Sequence, residues 1–597
     1  NGEVKKLLNY LHLLERIKVD AIIIQDLGLI SIIKKNFPKL KIHASTQMGT
    51  HNSIAAQFAE KEGFERVILA RELTKKEIKN IKKKSNVQLE LFVHGALCYS
   101  FSGYCLFSSF IGGMSANRGK CRQPCRRIYS SEIETNELFS LKDLQLIQSM
   151  DEIKDLDLSS IKIEGRMKSP EYVFTVTKAY RMALKEEKKK ALEMVKDDLG
   201  REKTEYFFSG KIRDEFAKNP YSGNLIGEIL KTTEDSIEFQ TKSDLVYKDR
   251  IRILKKNSKD APSIKLKEFF VNREKVGEVK AGQKVKVKIG EHDYNVGDSV
   301  FKVGSNKLRF KKEGELHQKT KYIPNMSRKR IQKILKSSLS DSYKKSKKEK
   351  LFLRIDRVKW LKKIYFSRFD YLLINLTEPE WFDFKFDKKF LIKQRHKIII
   401  ELPKFIIENK VSKYRKFLFN LYKNGYYNFS LSHISQKLLL PQTNKINLMT
   451  NENVYVMNDF AANYLKSKNI KDFIYPLESD FENLSKYNYN NGVIPLYFYP
   501  EIFYSRMPIN RKIDKIADRD LNYFLKVRNG FTIVIPEHPV AITQHLQKLS
   551  KMDFSKYLVD LSYTKPSQNR FNTIMKKYEE KEQVPHATTF NFNDTLW

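Results

Sequence analysis

All four cysteines of this 597-residue chain, Cys98, Cys105, Cys121 and Cys125, lie in one stretch. Residues 90–127 read ELFVHGALCYSFSGYCLFSSFIGGMSANRGKCRQPCRR. A chain with no cysteine elsewhere is not using them as small core hydrophobes. Four clustered thiols are the ligand set of one metal centre. Their spacing is C-x6-C-x15-C-x3-C, in which only Cys121 and Cys125 approach the paired knuckles of structural zinc sites. Iron–sulfur clusters accept looser spacing, so the pattern favours iron–sulfur and keeps zinc as the alternative. Gly95, Gly103, Gly112, Gly113 and Gly119 let backbone N–H groups approach sulfide, and Arg118, Lys120, Arg122, Arg126 and Arg127 offset thiolate charge. A cysteine nucleophile is the competing chemistry, with His94 near Cys98 as its base, but it leaves three cysteines unexplained. The clustering also argues against a secreted disulfide framework and for a reducing cytoplasm.

The elements that must hold this loop alternate between helical and strand periods. Val4, Leu7, Leu8, Leu11 and Leu14 keep helical spacing, and short β-branched runs follow at 21–24, 40–44, 66–70, 88–93 and 160–163, with helical stretches between them. Repeated βα units imply a parallel sheet covered on both faces, most simply an α/β fold of TIM-type (β/α) barrel topology. Chemistry in such folds gathers at strand ends. The polar residues at those ends give the candidate site: Glu164, Arg166 and His94 for catalysis, and Arg71, Glu72, His43, Gln47 and Lys168 for substrate. Each alone has a plainer reading, since Glu164 with Arg166 or Lys168 can be a simple ion pair and a single histidine is often a packing residue.

Four segments are expected: the barrel with its cysteine loop at 1–195, a small antiparallel β-barrel at 196–315, a basic linker at 316–350, and a degenerate, cysteine-free α/β half at 351–597. The last rests on a repeat. Residues 458–478 (NDFAANYLKSKNIKDFIYPLE) align without gaps on 52–72 (NSIAAQFAEKEGFERVILARE), matching Asn52 to Asn458 and Glu72 to Glu478. A little further on, Phe503 stands where Cys98 stands, so the second copy lacks the ligands.

The 111 Lys and Arg against 71 Asp and Glu leave a net charge of +40, which favours a polyanionic partner. RNA is the expected partner rather than a membrane, because no apolar run is long enough to span a bilayer. Oligomeric state is not readable from the sequence.

The stretch 90–108 resembles the signature of peptidase family U32, E-x-F-x2-G-[SA]-aliphatic-C-x4-G-x-C-x-aliphatic-S. The matching residues are Glu90, Phe92, Gly95, Ala96, Leu97, Cys98, Gly103, Cys105 and Ser108, with Phe107 departing at the aliphatic position. HASTQM (43–48), ILARELT (68–74), SLKDL (140–144) and IKIEGRMKSPEYV (161–173) extend the resemblance over about residues 1–310. It implies an oxygen-independent RNA base hydroxylase with a [4Fe-4S] cluster on Cys98, Cys105, Cys121 and Cys125, and prephenate as hydroxyl donor. A dianionic donor calls for a bidentate arginine, first Arg166 and then Arg71. The length resembles members that hydroxylate a ribosomal RNA cytidine. Alternatives are a transfer RNA uridine hydroxylase, the collagenase-like peptidase of the family's older label, and a non-catalytic metal-stapled RNA-binding protein. Members of the family usually begin with about two further βα units, so the sequence reads as an N-terminally truncated barrel.

Overall fold

Short β-branched runs, each followed by an amphipathic helix, build the first sheet. In the computed structural model, strands Ile22–Ile24 (β1), Ile42–Ala44 (β2), Arg66–Ile68 (β3), Gln88–Gly95 (β4) and Ser160–Ile163 (β5) pair in parallel in that order. The structure describes residues 2–166, 168–196, 198–212, 215–217, 223–255, 263–304, 325–338, 348–488, 490–509, 512–594 and 596. Helices Gly2–Arg16 (α1), Leu27–Asn36 (α2), Ser53–Lys61 (α3) and Lys75–Lys84 (α4) lie between the strands, and Pro170–Leu184 (α5) follows β5 with proline in its first turn. The sheet stays open. Among the described residues β1 is an edge, and the other side is continued by the short strands Asp143–Gln145 and Lys203–Thr204 rather than by a return to β1. Residues 1–195 thus form an open α/β sheet among the described residues, and the closed form of the truncated barrel expected there is not shown.

Closure occurs in the other half. Lys350–Ile355 (β6), Tyr371–Ile374 (β7), Ile398–Glu401 (β8), Asn428–Leu431 (β9), Asn447–Thr450 (β10) and Ile470–Phe473 (β11) run in parallel order. From the other edge of β6 the order continues to Lys556–Asp560 (β13) and Ile494–Phe498 (β12), also parallel. A parallel bridge between Ile474 and Val493 joins the end of β11 to the start of β12, so these eight strands form a ring. Every residue of β8, β12 and β13 is buried, as a parallel sheet covered on both faces requires.

Between the two lies an eight-stranded antiparallel sheet spanning 224–304, folded round its own core of Ile226, Phe239, Ile251, Val285 and Val300. Residues 305–324 and 339–347, which include much of the expected basic linker, lie outside the described residues. Of that linker, Arg328–Ser338 is helical and buries Ile331 and Ile334.

The repeat places the same local structure twice. Asn52 caps α3 by accepting the Ala55 N–H at 3.0 Å, and Asn458 caps the helix Asp459–Ser467 (α6) by accepting the Ala461 N–H at 2.9 Å. The copies also pack on each other. A Cβ on Gly28 of α2 would lie 2.6 Å from the Ala461 nitrogen of α6, so only glycine permits this approach. Lys468 bonds Glu62 at 2.5 Å, and the Asn458 amide donates to Asp26 at 2.6 Å. One buried apolar cluster runs from Leu8 to Phe592, joining the open sheet and the ring.

Candidate metal centre and active site

β4 is buried along nearly its whole length and delivers the chain to the cysteine loop. Its last residue, Gly95, has φ +110°, and a Cβ there would lie 2.8 Å from the Glu164 backbone oxygen and Cβ. The ends of β4 and β5 thus meet where the loop departs.

The loop is fastened from the cysteine-free half. Tyr504 accepts the Phe101 N–H at 2.7 Å, Ile502 accepts the Leu106 N–H at 3.1 Å, and the Ser505 hydroxyl donates to the Tyr99 carbonyl at 2.5 Å. The segment Phe503–Ser505 is the repeat's counterpart of Cys98–Ser100, so the cysteine-free copy clamps the cysteine loop with the segment that matches it. Strand Tyr129–Ser130, just beyond the loop, adds to the sheet containing Phe503–Ser505 through Ser130 and Ala517. Within the loop, Arg126 donates to the Leu97 carbonyl at 2.9 Å and to the Leu141 carbonyl.

Cys98 and Cys121 are exposed, Cys105 and Cys125 half-buried, and none forms a disulfide. Crowding by protein atoms pushes the Cys98 thiol up to about 11 against the pull of the Arg71 guanidinium, and burial raises Cys105 and Cys125 as well. Each of these three also feels the charge of neighbouring thiolates, so the four sulfurs share one locality. Among the described residues no three His, Cys, Asp or Glu side chains converge closely enough to hold a metal ion. Cys121 Sγ already accepts from the Gln123 N–H at 3.2 Å and the Ser108 hydroxyl at 3.7 Å, the kind of N–H···S and O–H···S contact that tunes cluster sulfur.

Three candidate residues meet beside the loop. The Arg71 guanidinium lies 3.9 Å over the Phe92 ring and donates to Glu164 Oε2 at 3.3 Å. Glu164 Oε1 accepts the Arg166 N–H at 3.3 Å. A Cβ on Gly119 would lie 3.4 Å from Arg166 Nη1, which sets that exposed guanidinium against the loop two residues before Cys121. Gln47 donates to the Asn117 carbonyl at 3.2 Å. Lys168 stacks 4.8 Å over Tyr172, and burial lowers its pKa.

Glu72 lies beneath the loop, fully buried; the Ser102 hydroxyl donates to its Oε2 at 3.4 Å and its Oε1 has no partner. Burial, only partly opposed by Arg71, raises its pKa to about 7. Folded Glu72 keeps its proton up to about pH 7, whereas an unfolded glutamate releases it near 4.5. The native state therefore holds the extra proton between these values, and stability falls as pH rises through them. Glu72→Gln is expected to remove that slope and raise stability above pH 7 by up to about 3 kcal/mol. Urea denaturation at pH 5 and pH 8 measures it; equal effects at both would contradict the assignment.

Two candidates are not brought to the loop. His94 is buried with both nitrogens engaged, Nε2 with Asp198 at 2.8 Å and Nδ1 with the Tyr180 hydroxyl at 3.4 Å. Lys203 bonds the same carboxylate at 2.6 Å, so His94 belongs to an internal network and is not available as a base. His43 sits 3.9 Å from Glu65, and Arg66, Glu90 and Lys162 act on it electrostatically, which assigns it to a cluster along the strands and away from their ends. Sequence reasoning missed Arg506, which forks onto Glu77 with two 2.9 Å bonds and donates to the Glu72 carbonyl at 2.7 Å. Its only sequence signal is its place just after the clamp segment.

Gly103, between Cys98 and Cys105, has φ +89°, and a Cβ there would lie 2.4 Å from the Gln47 carbonyl. Gly103→Ala is expected to cost about 1–3 kcal/mol from strain and clash and to lower metal content, as thermal melting and iron analysis would register. Unchanged melting and metal would refute the tight approach.

These features define an α/β protein with four cysteines gathered on one loop at a strand end. Residues 1–224 match the model of peptidase family U32. The tRNA hydroxylation protein P1 of Bacillus subtilis is 36% identical over 197 residues, covering 31% of this chain and 47% of that protein. A Methanocaldococcus jannaschii protein named as an uncharacterized protease is 40% identical over 222 residues, covering 34% and 52%. The 23S rRNA 5-hydroxycytidine synthase of Escherichia coli is 30% identical over 260 residues, covering 40% and 39%. The chain spans about half the length of these relatives or less.

Proposed function

We propose that the protein hydroxylates a base of RNA, a ribosomal RNA cytidine, with a [4Fe-4S] cluster on Cys98, Cys105, Cys121 and Cys125 and prephenate as hydroxyl donor. The observation that carries this reading is the set of four thiols on one clamped loop beside Arg71, Glu164 and Arg166. Relatives named as RNA hydroxylases, one acting on ribosomal RNA and others on transfer RNA, support the reaction class. A bound cluster of this type supplies electron-transfer or Lewis-acid chemistry without molecular oxygen. The chain's residues supply the rest. The Arg166 fork suits a carboxylate of the donor, and Glu164 orients Arg71 towards the same space. Glu72, with its pKa near neutrality, can hold or release a proton at Oε1 beside Cys98. The charge of +40 suits RNA, and the working compartment on this reading is the cytoplasm. No helix among the described residues is long and apolar enough to cross a membrane.

A peptidase reading is favoured by two relatives' names, but its expected base, His94, has both ring nitrogens engaged. Mass spectrometry of RNA from a deletion strain tests the proposal. Loss of one oxygen mass from a ribosomal cytidine is the expected result. Loss from a transfer RNA uridine instead would move the substrate, and unchanged RNA would overturn the reading.

A further inference from the structure

A cavity of about 410 Å³ lies where the strand ends of the open sheet meet those of the ring. One wall comes from residues after β1 and β2, including Gln25, Leu29, Gln47 and Met48; the facing wall comes from residues after β9 and β10, including Asn453, Val454 and Met457. These are the same two loops of the repeat in its two copies. The cavity therefore sits at the seam between them, at the strand ends where α/β folds place ligands. It borders the metal loop twice, through Tyr104 just before Cys105 and through Asn117 and Arg118 shortly before Cys121. Gln25 and Gln47 both donate to the Asn117 carbonyl, at 2.9 and 3.2 Å, tying the wall to the loop.

Its chemistry selects among ligands. The volume falls in the range of small-molecule pockets, about 300–1,000 Å³. The Asp26 carboxylate is satisfied by the Gly28 N–H at 2.7 Å and the Asn458 amide at 2.6 Å. Arg118 donates to the Leu596 carbonyl at 3.3 Å, Glu3 is exposed at the rim, and burial holds the His433 imidazole below its usual pKa. One cation against two acids disfavours a dicarboxylate. Side-chain amides that both donate and accept, between thioether, aliphatic and tyrosine surfaces, suit a neutral planar heterocycle.

We propose that this cavity receives the nucleobase of an unpaired RNA nucleotide, turned out of its strand and held beside the cysteine loop. The inference rests on the RNA reading of the same site and adds where the base goes, leaving the anionic donor to the Arg166 side.

The test uses the full, metal-loaded chain and a single-stranded oligoribonucleotide carrying one 4-thiouridine. Photocrosslinks should fall on residues 25–29, 47–49, 104 or 453–457; crosslinks confined to the 224–304 sheet or to α5 would overturn the proposal. In parallel, Met457→Trp and Val454→Trp fill the cavity without touching a cysteine. Each should weaken oligoribonucleotide binding at least about tenfold while iron and sulfide stay unchanged. If either variant fails to fold, the crosslinking of the unaltered chain decides alone. Full RNA hydroxylation by both folded tryptophan variants would sink the cavity and leave the hydroxylase standing. Crosslinks in the cavity with no hydroxylation by the unaltered chain would do the reverse.

Discussion

Serine at Cys98, Cys105, Cys121 or Cys125 is expected to abolish iron and sulfide loading and RNA modification together, in every one of the four variants. On the proposed cluster each thiol would supply one ligand to a shared centre, so no position would be dispensable. Loss of an outer-shell partner alone typically costs 10–100-fold, so loss of a ligand should exceed about a hundredfold in metal affinity. Ser108→Ala provides the graded comparison. Its hydroxyl donates to Cys121 Sγ at 3.7 Å and accepts the Arg122 N–H at 3.0 Å, so it steadies a ligand without being one. That variant should lose roughly 10–100-fold in metal affinity and keep partial activity. A nucleophile mechanism predicts another pattern, in which Cys98→Ser is inactive with full metal and the other three retain function. Iron and sulfide analysis of anaerobically purified variants, set beside RNA mass spectrometry, separates the two. Zinc in place of iron and sulfide in the unaltered chain would remove the cluster from the account.

Local periodicity made the strand ends legible, and with them the neighbourhood of Arg71, Glu72, Gln47, Glu164 and Arg166, because a βα repeat fixes which residues leave the sheet at one end. The repeat matched Asn458 to Asn52, and each caps its helix in the structure. What stayed hidden depends on pairings across long stretches of chain. His94 looks like a base four residues from a cysteine until Asp198, far along the chain, takes its Nε2. His43 looks like a strand-end residue, yet it sits with Glu65 and the ion cluster of Arg66, Glu90 and Lys162. Which half closes could not be read either, since the ring depends on one bridge, Ile474 to Val493, with no local signature. The repeat correctly separated a cysteine-bearing copy from a cysteine-free one. It could not reveal that Tyr504 and Ser505 hold the loop their counterparts belong to.

Arg354→Met is expected to destabilise the protein by about 3–5 kcal/mol at pH 7, because it strands buried carboxylates. Arg354, on β6 inside the ring, is 4% exposed and donates to Asp560 at 2.9 Å, Glu401 at 2.9 Å and Glu452 at 2.8 and 3.2 Å. One guanidinium faces three acids. Burial pushes Glu401 above its usual range despite Arg354, whereas for Glu452 the guanidinium outweighs burial and holds the carboxyl low. Without Arg354 the Glu401 and Glu452 carboxyls should shift upward, so the folded variant takes up protons that the unfolded chain releases. Its deficit should therefore shrink as pH falls from 7 towards 5. Arg354→Lys keeps the charge but loses the fork, and should fall between the two. Chemical denaturation at both pH values measures the deficit, and a loss below about 1 kcal/mol at pH 7 would mean the acids find other partners. The consequence reaches the cysteine loop. β12 is a strand of this ring and leads directly into Ile502–Ser505, which clamp Tyr99, Phe101 and Leu106. A ring loosened by Arg354→Met should hold that clamp less firmly, so iron loading should fall in parallel with stability although the residue lies in the half without a cysteine.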